Sequence, residues 1–110
     1  MPSYLLQVSY TSEALNALIA DPQNRADAVR KPIEKLGGRV MNSWLSFGEY
    51  DLVTVIEMPD NVSAAGFALA ISAGGSLKAV KTTPLLTLEE GLKAMNLAAT
   101  SGYEPVAIAK

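Results

Sequence analysis

The feature that most constrains the fold of this chain is the stretch from Gly38 to Asp60, GRVMNSWLSFGEYDLVTVIEMPD. Two runs rich in β-branched and aromatic residues meet there at Gly48-Glu49, which is the pattern of a β-hairpin. A glycine at the first central position predicts a tight two-residue turn of type II′, with Gly48 at positive φ and Phe47 opposite Tyr50. The register that runs outward from this turn fixes which face of the sheet each side chain occupies.

The two faces of the predicted hairpin differ in polarity. One face is mostly apolar and is expected to lie under helices, and it carries Met41, Ser43, Leu45, Phe47, Tyr50, Leu52, Thr54 and Ile56. The opposite face is apolar at its centre but also holds polar groups, and it carries Val40, Asn42, Trp44, Ser46, Asp51, Val53, Val55 and Glu57. Neither face is the charged, solvated surface of a simple two-layer sheet, so both are expected to be covered.

The remaining elements are predicted from local signals along the chain. Alternation from Tyr4 to Tyr10 predicts a first strand. Asp21-Pro22 and the later Thr87-Leu-Glu-Glu90 capping box each predict the start of a helix. The predicted order is a strand over 4–10, helices over 12–20 and 22–36, the hairpin, a helix over 61–73, a strand over 76–83 that Pro84 ends, and a helix over 87–99. This order predicts an α+β domain.

The hairpin segment, with Gly37 before it, resembles the core of the GYD-domain family of small bacterial proteins. The resemblance rests on four markers in order: Gly37-Gly38, Trp44, the Gly-x-Tyr-Asp run over 48–51, and Pro59-Asp60. It implies a ferredoxin-like βαββαβ domain with an antiparallel four-stranded sheet, related to the dimeric α/β-barrel proteins. It extends more weakly over about residues 2–84, which gives a domain over 1–84. The C-terminal helix and tail over 85–110 are then expected to pack on that domain or on a partner subunit.

Composition excludes several classes of chemistry. The chain has no cysteine and no histidine, which removes disulfides, thiolate nucleophiles, Cys or His zinc sites and Ser-His-Asp catalysis. No acidic cluster has the spacing of a Mg²⁺ or Ca²⁺ site, so neither a metal nor a cofactor is expected. A net charge of −2 argues against a nucleic-acid partner. The chain shows no signal-peptide pattern and no continuous apolar run of membrane-spanning length, so a cytoplasmic protein with no membrane contact is expected.

Three residues are candidates for binding a ligand. Asn42, Trp44 and Asp51 would share the polar-bearing face of the hairpin. In the dimeric α/β-barrel superfamily that face lines a cavity, and some of its members are cofactor-independent monooxygenases with Asn and Trp near the substrate. A structural interpretation is favoured over this analogy. In it Trp44 is a core or interface residue, Asn42 bonds to backbone or to another subunit, and Asp51 anchors the turn or caps a nearby N–H.

The same face predicts self-association. In a βαββαβ domain the two main helices lie on one face of the sheet, so they leave Val40, Trp44, Val53 and Val55 without a cover. Exposing them would forgo roughly 1.5–3 kcal/mol of burial for each large side chain. A second copy is the simplest cover, so the sequence predicts a homo-oligomer that is at least a dimer.

Three functions are consistent with these patterns. The first is a self-associating module that binds a small apolar or aromatic ligand at the sheet face. The second is a cofactor-independent enzyme of the monooxygenase or isomerase type that uses the same face. The third is a regulatory or protein-interaction module that acts on another enzyme. The sequence leaves open whether the chain is an enzyme.

Overall fold

A computed structural model describes residues 1–107 of the chain, which form four strands and four helices. The elements in chain order are β1 (Ser3–Tyr10), α1 (Ser12–Ala20), α2 (Arg25–Lys35), β2 (Arg39–Leu45), β3 (Leu52–Glu57), α3 (Asn61–Ala73), β4 (Leu77–Leu85) and α4 (Leu88–Ala99). The strand order is β2-β3-β1-β4, and every neighbouring pair is antiparallel. This is the predicted α+β, ferredoxin-like arrangement with an additional C-terminal helix.

The core lies between one face of the sheet and the helices α2 and α3. Alternation along β1 points four side chains into it, and α2 and α3 each contribute one large apolar side chain. The buried apolar residues are Tyr4, Leu6, Val8, Tyr10, Ile33, Ile56, Met58, Ala64 and Phe67. The hydroxyl of Tyr4 donates to Oδ1 of Asn61 across 2.6 Å, so the first residue of α3 is tied to the centre of the sheet.

The hairpin has the predicted register near its tip and a different register near its base. Leu45 pairs with Leu52 and Ser43 with Thr54, as expected. A β-bulge between Val40 and Asn42 then places Val40, in place of Met41, opposite Ile56. The extra residue shifts the alternation of β2 by one position. Val40 therefore lies on the helix-covered face and packs against the core, so its predicted place on the open face is wrong.

The predicted type II′ turn is also wrong. The connection spans residues 46–51, and the N–H of Ser46 donates to the carbonyl of Asp51 across 2.8 Å. Within residues 1–107 the glycines at positive φ are Gly37, Gly75 and Gly102, so Gly48 does not have the predicted conformation. Side-chain hydrogen bonds hold this wider loop: Ser9 Oγ donates to the carbonyl of Glu49 and Ser46 Oγ to the carbonyl of Tyr50.

The tip of the hairpin extends beyond the helix layer. Leu45 is 81% exposed and Phe47 is 99% exposed, although both were expected to be covered by helices. The six-residue loop sets Phe47 outside the strand pairing, so it has no neighbour across the sheet. These two apolar side chains are therefore available to solvent on the isolated chain.

Two element boundaries differ from the sequence pattern for local reasons. Helix α2 begins at Arg25 because Asn24 is its N-cap, with Oδ1 accepting from the N–H of Ala26 at 3.0 Å, and Asp21-Pro22 precedes it. Strand β4 continues through Pro84 to Leu85. Proline is tolerated there because β4 is an edge strand of the sheet.

Candidate functional site

The sheet face that the helices leave open is the candidate site. Residues that pair directly across the four strands form three rows on this face. From β2 to β4 the rows are Trp44, Val53, Gln7 and Lys81; Asn42, Val55, Leu5 and Thr83; and Arg39, Glu57, Ser3 and Leu85. Apolar side chains occupy the middle of this grid, and polar or charged side chains occupy most of its margin.

The apolar centre of the open face is incompletely covered. Trp44 is 51% exposed, and its neighbours Val53 and Val55 are half-buried within the single chain. Leu5 lies next to Val55 across the β1–β3 pairing. Three of the four residues expected on an interface, Trp44, Val53 and Val55, are therefore adjacent on one exposed apolar surface.

One corner of the open face carries an ion pair. Nε of Arg39 donates to Oε1 of Glu57, which lies opposite it in the β2–β3 pairing. The hydrogen bond from Arg39 lowers the pKa of Glu57 below its ordinary value of 4.5, so this carboxylate is held in its charged form. Glu57 is consequently a poor proton donor near neutral pH and serves as a partner for Arg39.

Asn42, Trp44 and Asp51 do not converge on one point. Asn42 and Trp44 share the open face, but Oδ1 of Asn42 accepts from the N–H of Ser43 at 2.8 Å. Asp51 is engaged with β1: its Oδ2 accepts from the N–H of Tyr10 at 2.8 Å, and its own N–H donates to the carbonyl of Val8 at 2.8 Å. These contacts match the structural interpretation, in which Asp51 anchors the loop.

A shallow groove of about 370 Å³ lies where the hairpin loop meets the open face. The side chains that give it polarity are Gln7, Glu49, Tyr50 and Lys81, and Val53 contributes to its apolar part. Sequence reasoning assigned Lys81 to a solvated edge. Alternation along β4 could have placed Lys81 on a face, but which face depends on the antiparallel pairing of β4 with β1, which the sequence does not specify.

Helix α4 stands apart from the rest of the domain. The predicted capping box is present: Thr87 Oγ1 accepts from the N–H of Glu90 at 3.0 Å, and Glu90 Oε1 accepts from the N–H of Thr87 at 2.9 Å. The hydrogen bond from the Thr87 backbone lowers the pKa of Glu90. Every side chain of α4 is exposed, including the apolar stripe Leu88, Leu92 and Met95. The radius of gyration is 17.8 Å, against about 13 Å for a compact domain near this size, as expected for a helix that projects outward.

Two features are absent from the described part of the chain. Within residues 1–107, no three acidic side chains come together in a way that could hold a metal ion. The helices of that region are also too short or too polar to cross a bilayer.

Comparison with known proteins identifies a family and a relative by sequence. The sequence profile of the GYD domain matches residues 4–95. A protein of Thermus thermophilus, named glutamine synthetase and cystathionine beta-lyase binding protein, is 29% identical over 79 residues, which are 71% of this chain and 82% of that protein.

Two solved structures have a similar fold. The crystal structure of FFRP-DM1 superposes with a TM-score of 0.50 at 16% identity and covers 78% of this chain and all of that one. The hypothetical protein PHS023 from Pyrococcus horikoshii superposes with a TM-score of 0.51 at 14% identity and covers 79% of this chain and 92% of that one. At these identities the two likenesses bear on the fold alone.

Proposed function

Because this chain belongs to the GYD domain family, we propose that it is a homodimeric interaction domain that binds a partner enzyme. The observation that carries the proposal is the apolar centre of the open sheet face, where Trp44, Val53 and Val55 lie together without a cover. Monomeric proteins rarely expose a contiguous apolar surface of this kind unless it binds something.

The energetic balance favours a dimer that uses both the sheet face and α4. Four side chains at the centre of the open face, Trp44, Val53, Val55 and Leu5, are only about half-covered in the single chain. Full burial of a large apolar side chain is worth roughly 1.5–3 kcal/mol, so completing the burial of each contributes about half of that. Association costs roughly 4–15 kcal/mol in lost freedom, so the sheet face alone is close to break-even. The stripe Leu88, Leu92 and Met95 adds three large apolar side chains, each of them exposed over more than half of its surface. Burial of both surfaces against a second copy gives a stable dimer, and two-fold symmetry is the commonest way to arrange it.

A third surface is suited to a different protein. Helix α3 contains no charged residue, and its side chains Val62 and Leu69 are exposed on the outside of the helix layer. This surface lies on the opposite side of the domain from the open sheet face, so a dimer formed through the sheet leaves it free. We assign partner binding to it.

The name of the Thermus thermophilus relative supports a metabolic enzyme as the partner. That protein is named for binding glutamine synthetase and cystathionine beta-lyase. The enzymes to test first are therefore the glutamine synthetase and the cystathionine β-lyase encoded in the same genome as this chain.

A small ligand and a cofactor-independent reaction have less support. The groove beside Tyr50 and Lys81 is where a small aromatic ligand would fit on the open face. A reaction at Asn42, Trp44 and Asp51 would need the Asp51 carboxylate, which already accepts the hydrogen bond from Tyr10. The interaction function requires no such rearrangement.

The experiment that tests the proposal measures binding and mass together. Purified wild-type protein is titrated against each of the two enzymes. The molar mass of each complex is then measured by light scattering after size-exclusion chromatography. Leu69→Asp on α3 is expected to abolish binding while the chain stays dimeric. Trp44→Asp on the open face is expected to give a monomer. If neither enzyme binds the wild type, partner binding of this class is wrong; if Leu69→Asp binds normally, the α3 assignment is wrong.

A further inference from the structure

A cavity of about 190 Å³ lies on the helix side of the sheet, away from the open face and the hairpin groove. It opens between α2 and α3 at the end of the domain where β4 begins. Its walls are mostly apolar, and they are formed by Leu6, Val8, Val29, Leu52, Ile71 and Leu77. Six side chains from five different elements thus surround a space that none of them fills.

Polar groups are concentrated at one side of this cavity. Tyr10, Arg25 and Ser76 line it and also line a second space of about 190 Å³ that continues under α1, beside Ala14, Ala17 and Leu18. The two spaces therefore meet at these three residues. The arrangement is an apolar chamber with hydrogen-bond donors gathered at its junction, which is the general form of a small-molecule site.

Arg25 gives this junction a positive charge. Its Nη1 donates to Oε1 of Gln23 across 3.3 Å, which is a long contact with a neutral group. The ion pair found within residues 1–107 is Arg39–Glu57, so no carboxylate of the described chain neutralises Arg25. Arg25 is also the first residue of α2, the end at which the helix dipole favours an anion over a cation. Helix stability alone does not account for an arginine there.

We propose that this cavity binds a small molecule that has a carboxylate and a short apolar body. The carboxylate pairs with the guanidinium of Arg25 and accepts hydrogen bonds from the hydroxyls of Tyr10 and Ser76. The apolar body enters the chamber between Val8, Val29 and Ile71. A guanidinium suits this role because its planar donors match the two carboxylate oxygens. This site is on the opposite side of the sheet from the proposed dimer interface. Its lining residue on α3, Ile71, is also different from the exposed Val62 and Leu69 to which partner binding is assigned. The site can therefore be tested independently of the proposed function.

The test uses hexanoate and its neutral counterpart hexanamide, which have the same apolar body and nearly the same shape. Binding is measured by calorimetry, and its location is followed by amide chemical shifts. Arg25→Gln removes the positive charge and keeps hydrogen-bonding capacity. Arg30→Gln is the matched control, since Arg30 is exposed on the same helix and lines neither part of the cavity.

Hexanoate is expected to bind the wild type and Arg30→Gln with equal affinity. It is expected to bind Arg25→Gln at least about tenfold more weakly, because the charged hydrogen bond between the carboxylate and the guanidinium is lost. Hexanamide is expected to bind the wild type no better than hexanoate binds Arg25→Gln. The largest shifts are expected at Val8, Val29 and Leu77. Val29→Phe, which fills the chamber, is expected to abolish binding while Arg25 remains.

Several results would overturn the proposal. Equal affinity of hexanoate for wild type and Arg25→Gln would show that the guanidinium does not hold the carboxylate. Shifts centred on Leu5 and Val53 would place the ligand on the open face. Failure of wild-type protein to bind hexanoate at millimolar concentration would show that the cavity does not take this class of molecule.

Discussion

The backbone N–H of Tyr10 donates to Oδ2 of Asp51 across 2.8 Å, and this bond ties the loop of the hairpin to the end of β1. Asp51, which directly precedes β3, also donates its own N–H to the carbonyl of Val8, so the loop extends the β1–β3 pairing ahead of the first residue of β3. The Gly-Glu-Tyr-Asp run is thus a connection between the hairpin and the central strand. The hydrogen bonds of Asp51 to β1 place this run next to the open face.

Asp51→Ala is expected to destabilise the domain by about 1–3 kcal/mol, because it leaves the partly buried N–H of Tyr10 without a partner. The midpoint of urea unfolding measures this loss. Glu49→Ala is the control in the same loop, since the loop contact of Glu49 is made by its backbone carbonyl, and it is expected to change stability by less than about 0.5 kcal/mol. Equal losses in the two variants would contradict the anchoring role of Asp51.

Two glycines are expected to respond differently to alanine. A Cβ at Gly48 would have no neighbouring atom within 4 Å, so Gly48→Ala is expected to leave stability unchanged within about 0.5 kcal/mol. A Cβ at Gly38 would collide with the carbonyl of Glu57 and with Sδ of Met58. Gly38→Ala is therefore expected to cost at least about 1–3 kcal/mol through overpacking. Thermal unfolding of the two variants tests the contrast, and a larger loss at Gly48 would restore the tight-turn interpretation.

Stability is expected to fall in acid, with Asp60 as one cause. The backbone N–H of Ser63 donates to Asp60 at the start of α3 and lowers the pKa of Asp60 below its ordinary 3.8. The pKa of Asp60 is lower in the folded chain than in the unfolded chain. The cap therefore stabilises the fold fully at pH values above the unfolded-state pKa, and this stabilisation is lost as the pH falls through the folded-state pKa. Asp60→Asn, which can still accept the bond from Ser63, is expected to reduce the slope of melting temperature against pH below about pH 4. An unchanged slope would show that the Asp60 cap does not contribute to the loss of stability in acid.

The fold was predictable from local patterns, and the errors have identifiable physical causes. Alternation in β1, the capping box at Thr87 and the apolar stripe Leu88, Leu92 and Met95 depend on neighbours close in sequence, and the elements they predict are present. The bulge beside Val40 depends on how β2 meets β3, which no short-range pattern specifies. The loop at Gly48 is likewise held by Ser9, a residue about 40 positions earlier in the chain.

The candidate site was predictable only in part for the same reason. Trp44 and Val53 pair across the hairpin on the open side of the sheet. This pairing was predictable because the hairpin register near its tip depends on residues that are close in sequence. Gln7 joins them through the pairing of β1 with β3, and Lys81 through the pairing of β1 with β4, which joins strands about 70 residues apart. The cavity beside Arg25 depends on five elements at once and has no signature in the sequence.

Helix α4 is expected to take part in self-association. Leu92→Asp places a charge in the middle of its exposed apolar stripe and is expected to weaken the dimer without changing the unfolding of the dilute chain, since α4 does not pack on its own domain. Sedimentation over a range of concentrations measures the dissociation constant. The control is Lys93→Ala, which lies outside the stripe on the same helix. If Leu92→Asp dimerises like the wild type, α4 has no part in the interface.

The most direct test of self-association through the open face is the mass of the chain in solution, compared between the wild type, Trp44→Asp and Leu45→Asp. These two residues are adjacent on β2, and both are exposed in the single chain. They lie on opposite faces of the sheet, with Trp44 opposite Val53 and Leu45 opposite Leu52. We expect a dimer for the wild type and for Leu45→Asp, and a folded monomer for Trp44→Asp. A monomeric wild type at micromolar concentration, or a Trp44→Asp variant that keeps the dimer mass, would contradict this interface.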